Sequence, residues 1–240
     1  MLCSSLANQG CIFHWARDHR VHHKHSEEDA DPHNASRGFF FAHVGWLLVK
    51  KHPEVVKAGR KLDLSDLEGD PIVMFQRENN AWLALLMCFV LPGAVPHLAW
   101  REPFWNGVWV AGGFRYVLCL HATWLVNSAA HFFGRRPYDE ASWPGKNAVV
   151  SFLTIGEGWH NWHHKYPFDY SASELGASTQ FNPTRMFIDT MALAGLVTDR
   201  KRALRAWGMT MEARKCKDTA VSPLMLSMSS PRTVEEKKAL

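Results

Sequence analysis

Two stretches of the chain are continuously apolar over lengths that matter. Trp82 to Ala99 carries no formal charge, over about the 20 residues a helix needs to cross a bilayer. Phe104 to Val126 is interrupted only by Arg115 and His121, and Trp100, Trp105, Trp109 and Trp124 stand where an interfacial aromatic belt would lie. The pattern therefore predicts two helical spans joined by the short turn at Trp100 to Pro103. A buried helical hairpin of a soluble protein has the same composition, and Pro92, Pro96 and Arg115 keep that alternative open. An ionisable group inside a span is a candidate functional residue in its own right. Phe39 to Val49 and Asn147 to Ile155 are apolar but too short to span, so they belong at the membrane interface or under a cytosolic cap. Asp31-Pro-His-Asn34 reads as a turn, and the stretch from Phe181 to Val197 has a helical pattern started by Pro183. From about Lys215 the chain turns polar and reads as a disordered tail.

With 47% hydrophobic residues in 240, core material is ample, and composition alone does not separate soluble from membrane. The net charge of +4 comes with no basic stripe interleaved with aromatics, which argues against nucleic acid as a partner. Charge placement orients the predicted hairpin. Lys50, Lys51, Lys57, Arg60 and Lys61 precede it and Arg135, Arg136, Lys146 and Lys165 follow it, against Arg101 alone at the turn. The positive-inside rule puts both flanks in the cytosol. The scattered cysteines Cys3, Cys11, Cys88, Cys119 and Cys216 show no disulfide or metal spacing.

The candidate chemistry is in the histidines. His19, His22 and His23 have the same i, i+3, i+4 spacing as His160, His163 and His164. On a helix, each triplet aims three imidazoles to one side, and two such faces offer places for two metals. With 14 histidines in the chain, two copies by chance are expected in roughly one chain in a thousand. An all-imidazole site suits iron, zinc or copper rather than magnesium or manganese. An even number of crossings separates the triplets, so they meet on one membrane face. Continued as one helix, the second span would carry His131 out into that face, and Asn127 and His131, at i and i+4, would share a side with it. Helix packing is the competing reading of that pair. His14, His25, His33, His43, His52, His97 and His121 have no common spacing and read as surface or packing residues, His25 and His33 less securely because they follow the first triplet closely.

Five segments in this order carry a resemblance: W-A-R-D-H-R-V-H-H-K, A-D-P-H-N, G-F-F-F-A-H-V-G-W-L-L-V-K-K-H-P, T-W-L-V-N-S-A-A-H and G-E-G-W-H-N-W-H-H. Together they resemble an animal membrane acyl-CoA desaturase of the stearoyl-CoA Δ9 type, from about Ala7 to Trp207. The resemblance implies an all-α protein of the endoplasmic reticulum membrane. Its transmembrane helical hairpin, at about residues 80–126, would carry a helical cytosolic cap built from 1–79 and 127–214, with a cytosolic tail over 215–240. It implies two iron ions held by His19, His22, His23, His131, His160, His163 and His164, with Asn127 acting through water. It implies a fatty acyl-CoA met by Arg17, Lys50 and Lys51 and a tunnel wall that includes Thr123 and Trp124. Oxygen would be the co-substrate and NADH the electron source, through cytochrome b5 reductase and cytochrome b5. No H-P-G-G haem motif occurs in the chain, so that donor would be separate.

Ligand imidazoles need partners for their second nitrogens. Asp18, Glu157 and Asp169 are the candidates nearest in sequence, with plain surface carboxylates as the alternative. For Lys50 and Lys51, a charge pair facing lipid headgroups is the competing role. The terminal Lys237-Lys238-Ala239-Leu240 resembles a dilysine retrieval address, with coincidence equally open. The family also has an earlier two-histidine box on a preceding hairpin, which does not occur in this chain. The chain therefore reads as an N-terminally truncated desaturase domain, expected to be inactive alone. The alternatives are a histidine-rich membrane hydroxylase and a non-catalytic relative that binds full-length desaturase and modulates it.

Overall fold

The computed structural model describes residues 1–212; the tail, the dilysine and Cys216 lie outside them. Among the described residues the fold is helical, with no β-strand beyond the isolated bridges Arg135 to Lys146 and Lys146 to Trp159. The main helices, in order, are α1 (Leu2–Ala7), α2 (Ile12–His25), α3 (Phe39–His43), α4 (Pro53–Arg60), α5 (Pro71–Trp100), α6 (residues 104–127), α7 (Ala129–Phe132), α8 (Ala148–Leu153), α9 (His160–Lys165) and α10 (Pro183–Leu193), with a further turn of helix at Ser65–Glu68 and a helical stretch over 204–212.

Helix α5 starts earlier than the apolar stretch because Asp70 and Pro71 form a ready-made beginning. The Asp70 carboxylate accepts from the N–H groups of Ile72 (2.8 Å) and Val73 (3.2 Å), and Pro71 has no N–H to leave unsatisfied. The expected boundary near residue 80 therefore falls inside a helix. Antiparallel to α5 runs α6, connected through Arg101, whose left-handed φ of 62° closes the turn. Small residues let the two backbones touch. A Cβ on Gly107 would sit 2.8 Å from the Gly93 carbonyl, and one on Gly93 would sit 2.6 Å from the Val108 side chain. Each helix also widens to a π-helical stretch, at Leu85–Val90 and Val108–Phe114. Arg115 spans the seam, its guanidinium donating to the Cys88 carbonyl (3.2 Å) and to that of Ala111 (2.9 Å).

Of the two, only α5 is long and apolar enough among the described residues to cross a membrane, and most of its apolar window faces outward. Trp82 and Leu98 are 74% and 80% exposed, unlike the core helix of a soluble protein. Arg115 and His121 lower the mean hydropathy of α6, so by length and composition α5 is the candidate span among the described residues.

The expected single helix from Phe104 to His131 breaks at Ser128, where ψ swings to −77°. The Ser128 hydroxyl donates to the Trp124 carbonyl (2.8 Å) and bonds His43 Nδ1 (2.9 Å). A serine bonding the carbonyl four residues back bends a helix, and the chain resumes as the single turn α7. Asn127 and His131 therefore sit on different elements.

The other elements are pinned by buried polar side chains. Gln76 of α5 accepts from the backbone N–H of Ile12 (2.9 Å) at the start of α2 and donates to Ser5 (3.0 Å). Asn161 of α9 accepts from the Tyr138 N–H (2.9 Å) and donates to the carbonyls of Asp139 and Pro144 (3.0 Å each), holding the 138–144 loop. Beside it Trp162 packs with Tyr138, Tyr166 and Ala203. Helix α10 begins as predicted, Asn182 accepting from the Arg185 N–H at 2.9 Å with Pro183 in the first turn.

Candidate metal centre

Helices α2 and α9 each present their triplet on one side, and α7 adds His131. The clusters, however, do not follow the triplets. His19 and His23 of α2 converge with His163 of α9, whereas His160 and His164 of α9 converge with His22 of α2 and with His131. Each triplet thus gives its i, i+4 pair to one cluster and its i+3 member to the other. The expectation of one metal face per triplet is corrected accordingly. The i+3 side chain stands about 60° around the helix from the i position on the side away from i+4, so two helices meeting face to face exchange that member.

The seven Nε2 atoms point inward. In the three-histidine cluster the separations are 3.1 Å (His23 to His19), 2.9 Å (His23 to His163) and 3.4 Å (His163 to His19). In the four-histidine cluster they are 3.2 Å (His22 to His164) and 3.1 Å (His131 to His160 and His164 to His160). Nitrogens at about 2.1 Å from a common cation and at right angles to one another stand about 3 Å apart, which is this spacing. Burial favours the neutral form of six of the imidazoles, with lone pairs free. His19, His23 and His163 are pushed down to about 4, about 2 and about 3, and His22, His160 and His164 lie well below the ordinary range, with neighbouring imidazoles adding to burial for all but His19.

Tautomers follow from the other nitrogens. His22 Nδ1 stands 2.9 Å from Asp31 Oδ1 and His131 Nδ1 2.6 Å from Glu27 Oε1. The backbone N–H groups of Glu27 and His33 donate to Asp31 at 3.0 and 3.1 Å, favouring the carboxylate against the burial that pushes its carboxyl up to about 7. With Nδ1–H donating to a carboxylate, each of these two rings turns an unprotonated Nε2 to the cluster centre. Lone pairs facing one another in a dry site repel unless a cation lies between them.

Asp18, Glu157 and Asp169 make no hydrogen bond to a cluster histidine. Asp18 pairs with Arg17 (2.9 Å) and Lys51. Asp169 accepts from the Trp162 indole (3.3 Å) and the Ala203 N–H (2.9 Å), holding the core beside α9. Glu157 lines a cavity with His19, His160 and His163, its carboxyl raised by burial. Glu27 and Asp31 were missed as supports in sequence, and the buried His33, whose Nδ1 lies 3.6 Å from Asp31, was read there as a surface or packing residue less securely than the others. The only signal for them was A-D-P-H-N, whose proline forces the chain back over the end of α2.

Arg17, Asp18, Lys51 and Arg60 line a surface groove of about 590 Å³, while Lys50 is exposed outside it. Asp18 and Lys51 also reach a second cavity, of about 420 Å³, lined by Trp15, His19, Trp46, Thr123, Trp124 and Asn127. Trp15 stacks on His19 with ring centres 4.7 Å apart, and Gln9 donates to Thr123 at 2.6 Å. Cationic groove, aromatic cavity and histidine cluster are therefore contiguous.

A helical fold with an outward-facing apolar helix and a paired polyhistidine centre able to hold metal defines the class. Residues 1–177 match the family of fatty acid desaturases, and the chain belongs to that family. It is 55% identical over 214 residues to stearoyl-CoA desaturase 5 of Bos taurus, covering 89% of this chain and 62% of that protein. Stearoyl-CoA desaturase of Homo sapiens is 54% identical over 206 residues, covering 86% and 57%, and Delta(9)-fatty-acid desaturase fat-6 of Caenorhabditis elegans is 51% identical over 203 residues, covering 85% and 59%. The chain thus spans less than two thirds of the length of these relatives.

Proposed function

We propose that this chain forms the metal-binding and acyl-guiding part of an acyl-CoA desaturase, which uses O2 to introduce a cis double bond, at the Δ9 position, into a long-chain fatty acyl-CoA. The convergence of seven Nε2 atoms into two adjoining clusters carries the reading. Removing two hydrogens from adjacent unactivated methylenes is beyond any side-chain acid or base, and a pair of iron ions supplies that oxidising chemistry when bound. His22, His131, His160 and His164 would hold one ion and His19, His23 and His163 the other. Asn127 lines the cavity beside His19, where its amide would orient a water toward the second ion. Trp15, Trp46 and Trp124 line the same cavity.

Arg17 and Lys51 would take the phosphates of CoA at the groove, since cations are what phosphates require. The acyl chain would then run inward past Thr123 and Trp124. Lys50 would act at the rim. Balance requires two electrons and two protons per O2 reduced to water, drawn from NADH through cytochrome b5 reductase and a separate cytochrome b5. The setting is the endoplasmic reticulum membrane, crossed by α5 and α6 as a hairpin, with the clusters on the cytosolic side.

Desaturase-deficient yeast expressing the chain alone, and the chain fused behind the N-terminal hairpin of a relative, tests this. Oleate and two irons per polypeptide in the fused version are expected. Metal uptake without any alkene would overturn the activity, a hydroxylated product would shift the reaction class, and no metal in either version would overturn the centre itself.

A further inference from the structure

The two clusters differ in what stands behind them. Around the four-histidine cluster, the turn that follows α2 supplies a partner to three Nδ1 atoms: Asp31 to His22 (2.9 Å), Glu27 to His131 (2.6 Å) and the Ser26 hydroxyl to His164 (3.4 Å). Among the described residues no side chain bonds an Nδ1 of the three-histidine cluster, and the buried Nδ1 atoms of His23 and His163 have no partner, whereas in the four-histidine cluster only that of His160 is left so. The turn is built for the task. Glu27 adopts a left-handed φ of 63°, rare for a residue with a side chain, and its N–H donates to Asp31 Oδ2 at 3.0 Å, which ties the Asp31 carboxylate to the Glu27 backbone. Ser26 donates to the His22 carbonyl at 2.9 Å, and Asn34 donates to the Glu28 carbonyl at 2.7 Å, closing the turn at both ends.

We infer that Glu27 and Asp31 are positioning residues that make the four-histidine cluster the tighter of two unequal metal positions, so that it fills first and empties last. This rests on the metal-centre reading above. Two carboxylates each hold an imidazole in the tautomer with Nε2 free and raise its basicity, and their two negative charges offset a divalent cation's charge in a buried site. Among the described residues the three-histidine position has one imidazole fewer and no carboxylate hydrogen-bonded to its rings, Glu157 and Asp169 lining the cavity beside His19 and His163 without such a bond.

The test is an anaerobic titration of the metal-free full-length chain in lipid nanodiscs with Co2+, whose ligand-field bands report each position, repeated with Fe2+. Wild type is expected to bind in two steps. His160→Ala should remove the tighter and His163→Ala the weaker, which assigns them. Glu27→Gln and Asp31→Asn should each weaken the tighter step by about 10–100-fold, the usual cost of losing such a partner, and leave the weaker one unchanged. Glu28→Gln, an exposed change in the same turn, should move neither. Nitrogen-15 spectra of the metal-free protein should show Nδ1–H on His22 in wild type and in Asp31→Asn, which keeps an acceptor, and a mixture in Asp31→Ala. If Asp31→Ala does not fold, the two isosteric variants carry the test. Equal weakening of both steps, or of the weaker alone, overturns the inference. A wild-type chain that binds no Co2+ overturns the metal-centre reading first, before any variant is compared.

Discussion

At the scale of single residues, protonation is the controlling variable. In the unfolded chain a histidine titrates near its ordinary value of 6.5, whereas in the fold His19, His23 and His163 are held at about 4, about 2 and about 3 by burial. The unfolded state therefore binds more protons below 6.5, and the metal-free fold loses stability as pH falls from 6.5 toward those values, by at most about 2 kcal/mol per histidine down to pH 5. Asp31, raised to about 7 from 3.8, works in the opposite sense, its contribution being lost as pH rises through that interval. Glu157, also raised by burial, works in the same sense as Asp31, but these two carboxyls face several histidines, so the net expectation is a melting temperature that falls between pH 7 and pH 5. A flat or rising profile in calorimetry of the metal-free protein would show that the clusters are not dry. Legibility in sequence was high for the ligands, because a repeated spacing is a local property. It was low for their supports: Asp18 and Asp169 are close in sequence but engaged elsewhere, whereas Glu27 reaches His131 across 104 positions, which only chain reversal brings about.

At the scale of elements, the seam between α5 and α6 and the loop held by Asn161 carry the placement of the site. Gly107→Val would force its side chain against the Gly93 carbonyl and the Pro96 ring, 2.8 and 2.9 Å from the new Cβ, and should cost about 1–3 kcal/mol. Gly113→Ala, whose Cβ would find its nearest neighbour at 3.7 Å, should be neutral. Comparing their thermal unfolding in nanodiscs checks the packing, and equal stability of the two variants would contradict it. Asn161→Ala would strand the Tyr138 N–H and two carbonyls in the interior, at about 3 kcal/mol or more, and should release metal from His160 and His164 as the start of α9 loosens. The start of α10 was readable from Pro183, whereas that of α5 at Asp70-Pro71 lies in a polar stretch ahead of the apolar run and was not read. The break at Ser128 was not, because a serine is compatible with a helix until His43 arrives to bond it.

At the scale of the whole molecule, the outward apolar face of α5 predicts integral association. The chain should remain in membranes washed with alkaline carbonate, and its release into the supernatant would return α5 to the status of a soluble core helix. The order of groove, aromatic cavity and histidines predicts a graded effect on ligand binding. Lys51→Ala should weaken binding of a long-chain acyl-CoA several-fold and leave binding of the free fatty acid unchanged, as measured by calorimetry with each ligand; loss of both would mean that Lys51 acts through the fold.

What the sequence determined by itself was whatever depends on neighbours a few positions apart: the helical faces of the two triplets, the imidazole character of the site, the apolar run within α5 and the start of α10. These follow from a fixed rotation of about 100° per residue and from side chains that cap their own backbone. The tertiary structure decided which imidazoles share a cluster and which carboxylates stand behind them. His22 meets His164 across 142 positions, and the exchange of the i+3 members arises because two helices approach face to face. Such pairings are set by packing between distant segments, and no local spacing encodes them.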